Sequence, residues 1–515
     1  MVDVIDTMKE SLASIHINSF VRYLVLLAIG AFILLYSVRF YQWLYHPFSN
    51  SYEEYGTVAT MNSYIDGVNP FSFELFPERT FIYGPLYAWL CASLYQLFGF
   101  QCEHILFCRL LSVVFLLLTE IIVLWTIYKR LNPSLDIFTK ALLLLIAFGS
   151  LLAVSWQITP ISGYSNTFGV FLTALVYLII TSKDKHKVWS LLLCSLLSLV
   201  AFFVKQYFII VFVVAFVQLI IQGAKRQALL LAISFVAFAV IAFFLCQAYM
   251  PTCLYVLVEA MSHQDISVLH CIRQFAIIIV IYLPLFGALL YILKTDKEAF
   301  HNIPATYKSG VLVALICLAI IGCNTGAYLW YFYHLLVLPL VVCGTIALSY
   351  IRTNWLPGML LICILLSMFH INLNTIAPSY PKEATSELES QLNIIETSYN
   401  LSKSYNFHAS LDNWAAKHEM GYVNSLYPKF LLMMQDKENV FLFKNEHNEA
   451  TYLLNQWETI LKHHIENKDA EIIICNSNDE VLEKCGLNEN YQLLKRLTNP
   501  DGDPKYTEID IFVKK

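Results

Sequence analysis

Long apolar runs separated by short polar connectors fill the first three quarters of the chain. Each run has roughly 16 to 23 residues, which is enough for an α-helix to cross the hydrocarbon core of a bilayer. The pattern predicts about eleven transmembrane helices. They cover residues 21–38, 107–128, 140–157, 161–181, 188–204, 207–222, 228–249, 273–293, 309–324, 332–350 and 355–373.

Lysine and arginine residues collect in alternate connectors, and such residues stay in the cytoplasm when the connectors are short. We therefore assign the side that carries them to the cytoplasm. The first long loop, residues 39–106, and everything after about residue 375 are then extracytoplasmic. The basic connectors that alternate in this way lie near Lys129, Lys185, Lys225, Lys294 and Arg352.

The segment 84–98 is short for a membrane span, since it has about 15 residues. Its Tyr87, Trp89 and Tyr95 suit a membrane interface. Counting it as a span would place Lys129 outside and invert every later connector. We therefore expect an interfacial helix within the first external loop.

The composition becomes polar and charged after Pro378. Residues 386–407 have the spaced Leu and Ile of an amphipathic helix. A second helix is expected over 450–465, and the runs 439–444, 470–475 and 508–513 are typical of β-strands. The fold class is thus mostly α: a polytopic α-helical membrane domain over residues 1–375, then a small extracytoplasmic α/β domain over residues 376–515.

The composition excludes an ordinary soluble protein, because 58% of the 515 residues are hydrophobic and only 14% are charged. Nucleic acid is not an expected partner, since the net charge is −5 and no extended basic run occurs. We expect a multi-pass protein of the bacterial inner membrane, given the short loops. An endoplasmic-reticulum membrane would give the same topology.

Two adjacent carboxylates, Glu53 and Glu54, follow the first apolar run. A carboxylate in an enclosed loop at a membrane surface can act as a general base, and a sugar hydroxyl that attacks an anomeric carbon needs such a proton acceptor. The alternative is that both are solvated loop residues, and the pair alone favours that alternative. Its setting decides between them.

Downstream of the pair, the chain carries Tyr83-Gly84-Pro85-Leu86-Tyr87, then Phe98-Gly99 and Arg109-Leu110-Leu111. This order resembles the GT-C membrane glycosyltransferases, and within them the aminoarabinose transferase and protein O-mannosyltransferase group. The resemblance covers about residues 50 to 115. It implies a polyprenyl-phosphate-linked sugar donor, with Glu53 and Glu54 at the family's acidic pair and 84–87 at its Pro-Pro-Leu-Tyr motif.

The sequence departs from this family at two places. The first acid of the pair is the longer Glu53, so the resemblance does not decide which neighbour is the base. An acidic-basic dipeptide that some members carry before the proline motif is replaced by Ile82-Tyr83. The sequence therefore lacks the acid on which a metal site could be built at this position. It identifies no cofactor, and the use of a divalent metal with unknown ligands stays open.

Three basic residues are candidates for binding the donor phosphate: Lys205, Arg79 and Arg273. A lysine at the centre of a bilayer would cost roughly 2.5 to 3.5 kcal/mol, so Lys205 is expected to mark a break or to face a polar cavity. An equally weighted alternative is a loop lysine that reaches the headgroups. Guanidinium groups suit phosphate, although any single arginine here also suits lipid headgroups. Arg109 is expected to anchor the start of a helix.

Aromatic and polar residues near these positions are candidates for substrate binding. The loop that contains His263 and Asp265 could form a lid, although its spacing matches no defined metal motif. Tyr331 fits an aromatic belt as well as it fits a sugar site. The substrate-binding candidates are Tyr83, Tyr87, Gln206, Tyr207, His263 and Tyr331.

The expected function is inverting transfer of a sugar from a polyprenyl-phosphate-linked donor to an extracytoplasmic glycan, lipid or protein. The sequence contains no nucleotide-binding motif, so the energy for the reaction would have to arrive with the substrate, and a lipid-phosphate sugar meets that condition. The expected partners are that donor, that acceptor and the lipid bilayer. One rival is a transporter or flippase that uses Lys205 and Glu120 along its pathway. Another is a noncatalytic assembly subunit.

Overall fold

The structure is a computed structural model in which most of the chain is described. The first apolar segment is described only at scattered positions between 23 and 49, and those up to residue 44 are helical. The other described residues are 52–77, 81–152, 163, 165–182, 185–259, 266–324, 329–351, 382–408, 411–421, 443–498 and 508–515.

Helices dominate the described chain. The longer helices are Tyr52–Ile65, Leu86–Phe98, His104–Tyr128, Ile137–Leu152, Asn166–Thr181, Val188–Phe202, Ile210–Ile221, Lys225–Tyr249, Val268–Ile281, Leu283–Thr295, Ala305–Ile321, Leu338–Tyr350, Lys382–Ser398 and Lys444–Glu466. Short helices cover Pro251–Leu254, Lys297–Asn302, Leu329–Phe332, Asp412–Lys417, Glu480–Lys484 and Leu487–Asn490. Single turns of 3-10 helix cover Phe73–Leu75, Gln206–Ile209 and Leu401–Lys403, and π-helical turns cover Tyr255–Glu259 and Tyr333–Val337.

Three of the described helices are long and apolar enough to cross a bilayer: His104–Tyr128, Lys225–Tyr249 and Tyr333–Tyr350. They coincide with the spans expected over 107–128, 228–249 and 332–350. Shorter apolar helices occupy much of the other expected spans. The span over 355–373 lies outside the described residues, so the number of about eleven stays a prediction.

One expected span is not straight. The run 273–293 forms two helices, Val268–Ile281 and Leu283–Thr295, that meet at an angle of 80°. Pro284 stands in the first turn of the second helix. Proline has no backbone N–H and clashes with the preceding turn, so it ends the first helix there. Hydropathy alone does not reveal such a bend.

The segment 84–98 forms a helix of 13 residues, Leu86–Phe98. Pro85 precedes it, and Gly99 ends it in a left-handed conformation with φ of 62°. Proline at the start and glycine just after the end are the usual helix boundaries. The helix is shorter than a typical span, and its interfacial position remains a prediction.

The C-terminal region contains a four-stranded mixed sheet with the order β1-β2-β4-β3. β1 is Tyr405–Asn406, β2 is Ile472–Asn476, β3 is Tyr491–Thr498 and β4 is Glu508–Lys514. β1 pairs with β2 in parallel, and the other pairings are antiparallel. The runs expected over 470–475 and 508–513 correspond to β2 and β4.

The other elements expected in this region differ in their bounds. The helix expected over 450–465 is part of the longer Lys444–Glu466. The amphipathic stretch 386–407 is helical only to Ser398 and ends in β1. Most of the run 439–444 lies outside the described residues, and Lys444 begins a helix. The domain boundary expected at residue 375 also lies outside them.

The C-terminal region packs on the first loop from two sides. Phe48 is buried in one apolar cluster with Leu388 and Leu392. Ala450 and Leu454 are buried in another cluster that includes Tyr83. The C-terminal region therefore shares apolar clusters with the first loop near Phe48 and near Tyr83.

Candidate active site

The acidic pair lies in the first turn of the Tyr52–Ile65 helix. Carboxylates are favourable at this end of a helix because its unpaired N–H groups are partly positive. Successive residues point about 100° apart around a helix axis. Glu53 and Glu54 therefore reach different partners, although both are buried.

Glu53 is the centre of a buried polar cluster. Lys205 Nζ lies 2.8 Å from Glu53 Oε2, and the Tyr83 hydroxyl donates to Glu53 Oε1 at 2.5 Å. The same ammonium lies 4.1 Å from the centre of the Tyr83 ring. Glu53 is 2% exposed and Lys205 is 0% exposed, so each charge would be expensive to bury alone. The structure thus brings three predicted site residues together.

Lys205 reaches this position because the chain breaks between two apolar helices. It follows Val188–Phe202 and precedes the 3-10 turn Gln206–Ile209, with an extended backbone. Burial lowers the pKa of Lys205, and the negative charge of Glu53 opposes that effect. The lysine therefore marks a break in the helices, as one of the two sequence interpretations expected.

The turn before Leu86 fits against this break. A Cβ atom added to Gly84 would lie 1.6 Å from the carbonyl oxygen of Phe203. Only glycine allows so close an approach of two backbones. Gly84 thereby fixes Tyr83 next to Lys205, which explains why this residue type precedes Pro85.

Glu54 has a separate set of partners. Arg109 Nε and one of its terminal nitrogens donate to the two carboxylate oxygens, each at 2.8 Å. The backbone N–H of Gly163 donates to Glu54 Oε1 at 2.6 Å. Both charged side chains are fully buried. A paired, bidentate arginine of this kind holds a carboxylate firmly in one orientation.

Arg109 also fixes the segment before the acidic pair. Its guanidinium donates to the backbone carbonyl oxygens of Trp43 at 2.8 Å, His46 at 2.7 Å and Phe48 at 2.9 Å. Sequence reasoning placed this arginine at a helix start and missed these contacts. The only signal in the sequence was the position of Arg109 in Arg109-Leu110-Leu111, and that motif does not indicate which residues the arginine contacts.

His46 lies in this same segment and is almost fully buried. Burial lowers the pKa of His46 to about 3, and the positive charge of Arg109 adds to that effect. The imidazole is therefore neutral at physiological pH. Its Nδ1 lies 2.8 Å from the carbonyl oxygen of Phe48, so it supports the loop instead of supplying charge.

Other predicted substrate-binding residues have structural contacts in the described part of the chain. The buried Tyr87 hydroxyl donates to the Cys108 carbonyl oxygen at 3.0 Å and lies 2.8 Å from Ser112 Oγ. Gln206 donates to the Leu257 carbonyl oxygen at 2.9 Å. Their role in substrate binding stays a prediction.

Tyr207 and Tyr331 lie together, with ring centroids 4.4 Å apart. The Tyr207 hydroxyl lies 2.6 Å from His334 Nδ1 and 3.4 Å from Asn166 Oδ1. Tyr207 follows Lys205 by two residues, so this group borders the Glu53 cluster. His334, three residues after Tyr331, is buried.

Three predicted residues are not part of the described cluster. Arg273 is exposed near the start of the Val268–Ile281 helix. Arg79 and His263 lie outside the described residues. Within the described residues, no group of three or more His, Cys, Asp or Glu side chains could hold a metal ion. Metal dependence therefore stays open.

No protein-family model matches the sequence, and no curated protein matches it significantly. Among solved structures, the chain is similar to ArnT from Cupriavidus metallidurans, an aminoarabinose transferase whose crystal structure contains undecaprenyl phosphate. The TM-score is 0.59 at 10% sequence identity, and the match covers 94% of this chain and 97% of ArnT.

A second similar structure is an oligosaccharyltransferase from Archaeoglobus fulgidus in complex with zinc and sulfate. Its TM-score is 0.45 at 11% identity, over 88% of this chain and 68% of that protein. Both proteins are GT-C glycosyltransferases. The match to ArnT extends over nearly all of both chains, so the expected GT-C resemblance is confirmed at the level of the fold. With its apolar helices, the chain is an integral membrane protein of this fold.

Proposed function

We propose that this protein is a membrane glycosyltransferase that moves a sugar from a polyprenyl-phosphate-linked donor to an extracytoplasmic acceptor. The observation that carries the proposal is the buried Glu53–Lys205 ion pair with Tyr83, in a fold shared with ArnT. The undecaprenyl phosphate in the ArnT structure supports a lipid-linked donor for this fold.

Glu53 is our candidate for the general base. A carboxylate has about four lone-pair positions, so it can accept hydrogen bonds from Lys205 and Tyr83 and still receive a proton from an acceptor hydroxyl. The acceptor oxygen then attacks the anomeric carbon as the bond from that carbon to the phosphate oxygen breaks. Attack from the face opposite the phosphate inverts the anomeric centre.

Lys205 is our candidate for stabilising the leaving group. When Glu53 takes the proton, its negative charge disappears as the departing phosphate gains a second negative charge. The ammonium beside Glu53 then interacts more strongly with the phosphate. Arg79 and Arg273 remain further candidates for that role, with Arg79 preferred because it shares the loop of the acidic pair.

Glu54 is better suited to positioning than to proton transfer. Its two oxygens are bound by Arg109 and by the Gly163 N–H, inside fully buried surroundings. A base must exchange protons with substrate, whereas this carboxylate holds the loop and the helix together. We therefore divide the roles that the sequence left undecided, with Glu53 as the base.

Labelled donor distinguishes the enzyme from a transporter. The purified protein is placed in liposomes with undecaprenyl phosphate that carries a radiolabelled sugar, and a cell-envelope lipid and glycan fraction supplies acceptors. We expect the label to move to an acceptor as undecaprenyl phosphate is released. Glu53→Gln should abolish this transfer. Glu103→Gln is the matched control for that variant, because Glu103 is an exposed acid in the same loop as Glu53. Movement of intact donor between leaflets without consumption would contradict the proposal.

A further inference from the structure

Three consecutive polar residues at the start of the Asn166–Thr181 helix are buried, and each has a side-chain atom without a hydrogen-bond partner in the described residues. Ser165, Asn166 and Thr167 are 2%, 1% and 6% exposed. Within the described residues, Ser165 Oγ, Asn166 Nδ2 and Thr167 Oγ1 have no hydrogen-bond partner. Buried polar groups nearly always have one, and leaving them unpaired costs free energy.

Some other buried hydroxyl groups of this protein are satisfied by their own helices. Thr57, Thr119 and Thr173 each donate to the backbone carbonyl oxygen four residues earlier, at 2.9 Å. Ser165 and Thr167 stand where the helix begins and have no helical carbonyl at that distance. Ser165 also makes no capping hydrogen bond, although serine at this position usually does. An external partner would satisfy these groups.

The group lies next to the Glu53 cluster. Gly163, just before it, contacts Glu54. Asn166 accepts from Tyr207 at 3.4 Å, and Tyr207 is two residues from Lys205. The helix also lies tightly against the 3-10 turn, since a Cβ atom added to Gly169 would be 2.1 Å from a ring carbon of Phe208. The unpaired groups therefore lie close to a residue that holds Glu54 and to the turn that follows Lys205.

The group contains both donors and acceptors, and it includes no carboxylate, lysine or arginine. It combines two hydroxyls and an amide with the phenol of Tyr207 and the imidazole of His334, which are 2.6 Å apart. His334 lies in the π-helical turn Tyr333–Val337, a feature frequent at functional sites. A phosphate would require donors and positive charge, whereas sugar hydroxyls both donate and accept. The aromatic rings of Tyr207 and Tyr331 add an apolar face.

We propose that Ser165, Asn166 and Thr167, with Tyr207 and His334, form the subsite that binds the hydroxyl groups of the donor sugar. The proposal rests on the proposed glycosyl transfer and adds the group that recognises the sugar. It predicts that these residues distinguish a sugar-bearing lipid from the bare lipid phosphate.

The test compares two probes on the full-length protein in nanodiscs: undecaprenyl phosphate, and undecaprenyl phosphate that carries a pentose or a hexose. Dissociation constants are measured for the wild type and for the double variant Ser165→Ala/Thr167→Val. We expect the variant to bind the preferred sugar-bearing lipid at least about tenfold more weakly. Binding of bare undecaprenyl phosphate should stay within about twofold. Thr173→Val is the matched control, because Thr173 is a buried hydroxyl in the same helix with its own partner.

Equal weakening for both probes would assign the group to the phosphate and overturn the proposal. Unchanged binding of both probes would overturn it as well, and so would a wild type that does not distinguish them. Failure of the proposed function would give a different result. In that case the wild type would bind the sugar-bearing lipid more tightly than the bare lipid phosphate but would never transfer the sugar, so the sugar subsite would stand and the transferase activity would not.

Discussion

At the scale of single residues, the two neighbouring glutamates are separated by their partners. Glu53 contacts a lysine and a tyrosine that a substrate could replace or reorganise, whereas Glu54 is held by Arg109 and a backbone N–H. A buried charge without its partner is strongly destabilising. Changes at the Glu54 pair should therefore reduce stability, whereas a change at the Tyr83 hydroxyl leaves the Glu53–Lys205 ion pair intact and should reduce activity first.

Arg109→Lys tests the structural half of this division. Lysine keeps the positive charge but lacks the planar fork that reaches Glu54 and the carbonyl oxygens of Trp43, His46 and Phe48. We expect a loss of about 3 kcal/mol in the free energy of unfolding. Thermal denaturation in detergent measures it, with Arg273→Lys as an exposed control. Equal melting temperatures for both variants would contradict the assignment.

Tyr83→Phe tests the catalytic role assigned to Glu53. Phenylalanine keeps the ring beside Lys205 but removes the hydroxyl that donates to Glu53. A hydrogen bond to a charged group contributes about 1.5 to 3 kcal/mol, so we expect the rate of transfer to fall by about tenfold or more if this bond orients the base. The steady-state rate should fall while the melting temperature changes little. An unchanged rate would show that the hydroxyl does not position Glu53.

At the scale of elements, the site depends on a close approach between two turns. Gly84 lies against the Phe203 carbonyl, at the break between helices where Lys205 enters the site. Gly84→Ala should separate these turns and greatly reduce activity, because the backbone cannot yield as a flexible side chain does. Gly287→Ala is the control, since a Cβ atom there meets no atom within 4 Å. The transfer activity of both variants is measured. Full activity of Gly84→Ala would show that the close contact between Gly84 and the Phe203 carbonyl is not needed.

The sequence predicted the helices better than it predicted their contacts. Apolar periodicity located His104–Tyr128 and Lys225–Tyr249, but it could not show that Glu53 meets Lys205, 152 residues away. The sequence interpretation assigned Lys205 to the donor phosphate and predicted no direct ion pair with Glu53. Contacts between distant polar residues depend on how the helices pack, which a hydropathy pattern does not encode.

The same limit applies to strand β3. Its residues between Tyr491 and Leu497 are exposed, so the strand lacks the apolar pattern that identified β2 and β4. β3 is one of the two edge strands of the sheet and pairs only with β4 among the described strands. An edge strand with one exposed face gives a weak pattern in the sequence.

At the scale of the whole molecule, the C-terminal region and the first loop form a packed unit in the described residues. Phe48, next to the carbonyls that Arg109 binds, is buried against Leu388 and Leu392. The Lys444–Glu466 helix also contacts a second part of the chain, because Gln247 donates to Glu446 at 3.2 Å and the Tyr255 hydroxyl lies 3.1 Å from His447 Nδ1. The C-terminal region therefore supports the loop that carries the site.

Phe48→Ala should loosen this support. Truncating a buried phenylalanine costs about 3 to 5 kcal/mol, and hydrogen exchange should rise in residues 382–421. Lys417→Ala is the control, because its ion pair with Glu103 is exposed and contributes at most about 1 kcal/mol. Hydrogen exchange followed by mass spectrometry compares the two. Equal protection in both variants would show that Phe48 does not connect the regions.

The central claim is that Glu53 accepts the proton during sugar transfer, and a single-turnover experiment tests it most directly. Glu53→Gln and wild type are compared in nanodiscs with saturating labelled undecaprenyl-phosphate sugar and acceptor. We predict that the rate constant for release of undecaprenyl phosphate falls by at least about 100-fold, with donor binding retained. A variant that releases undecaprenyl phosphate at the wild-type rate would contradict the account.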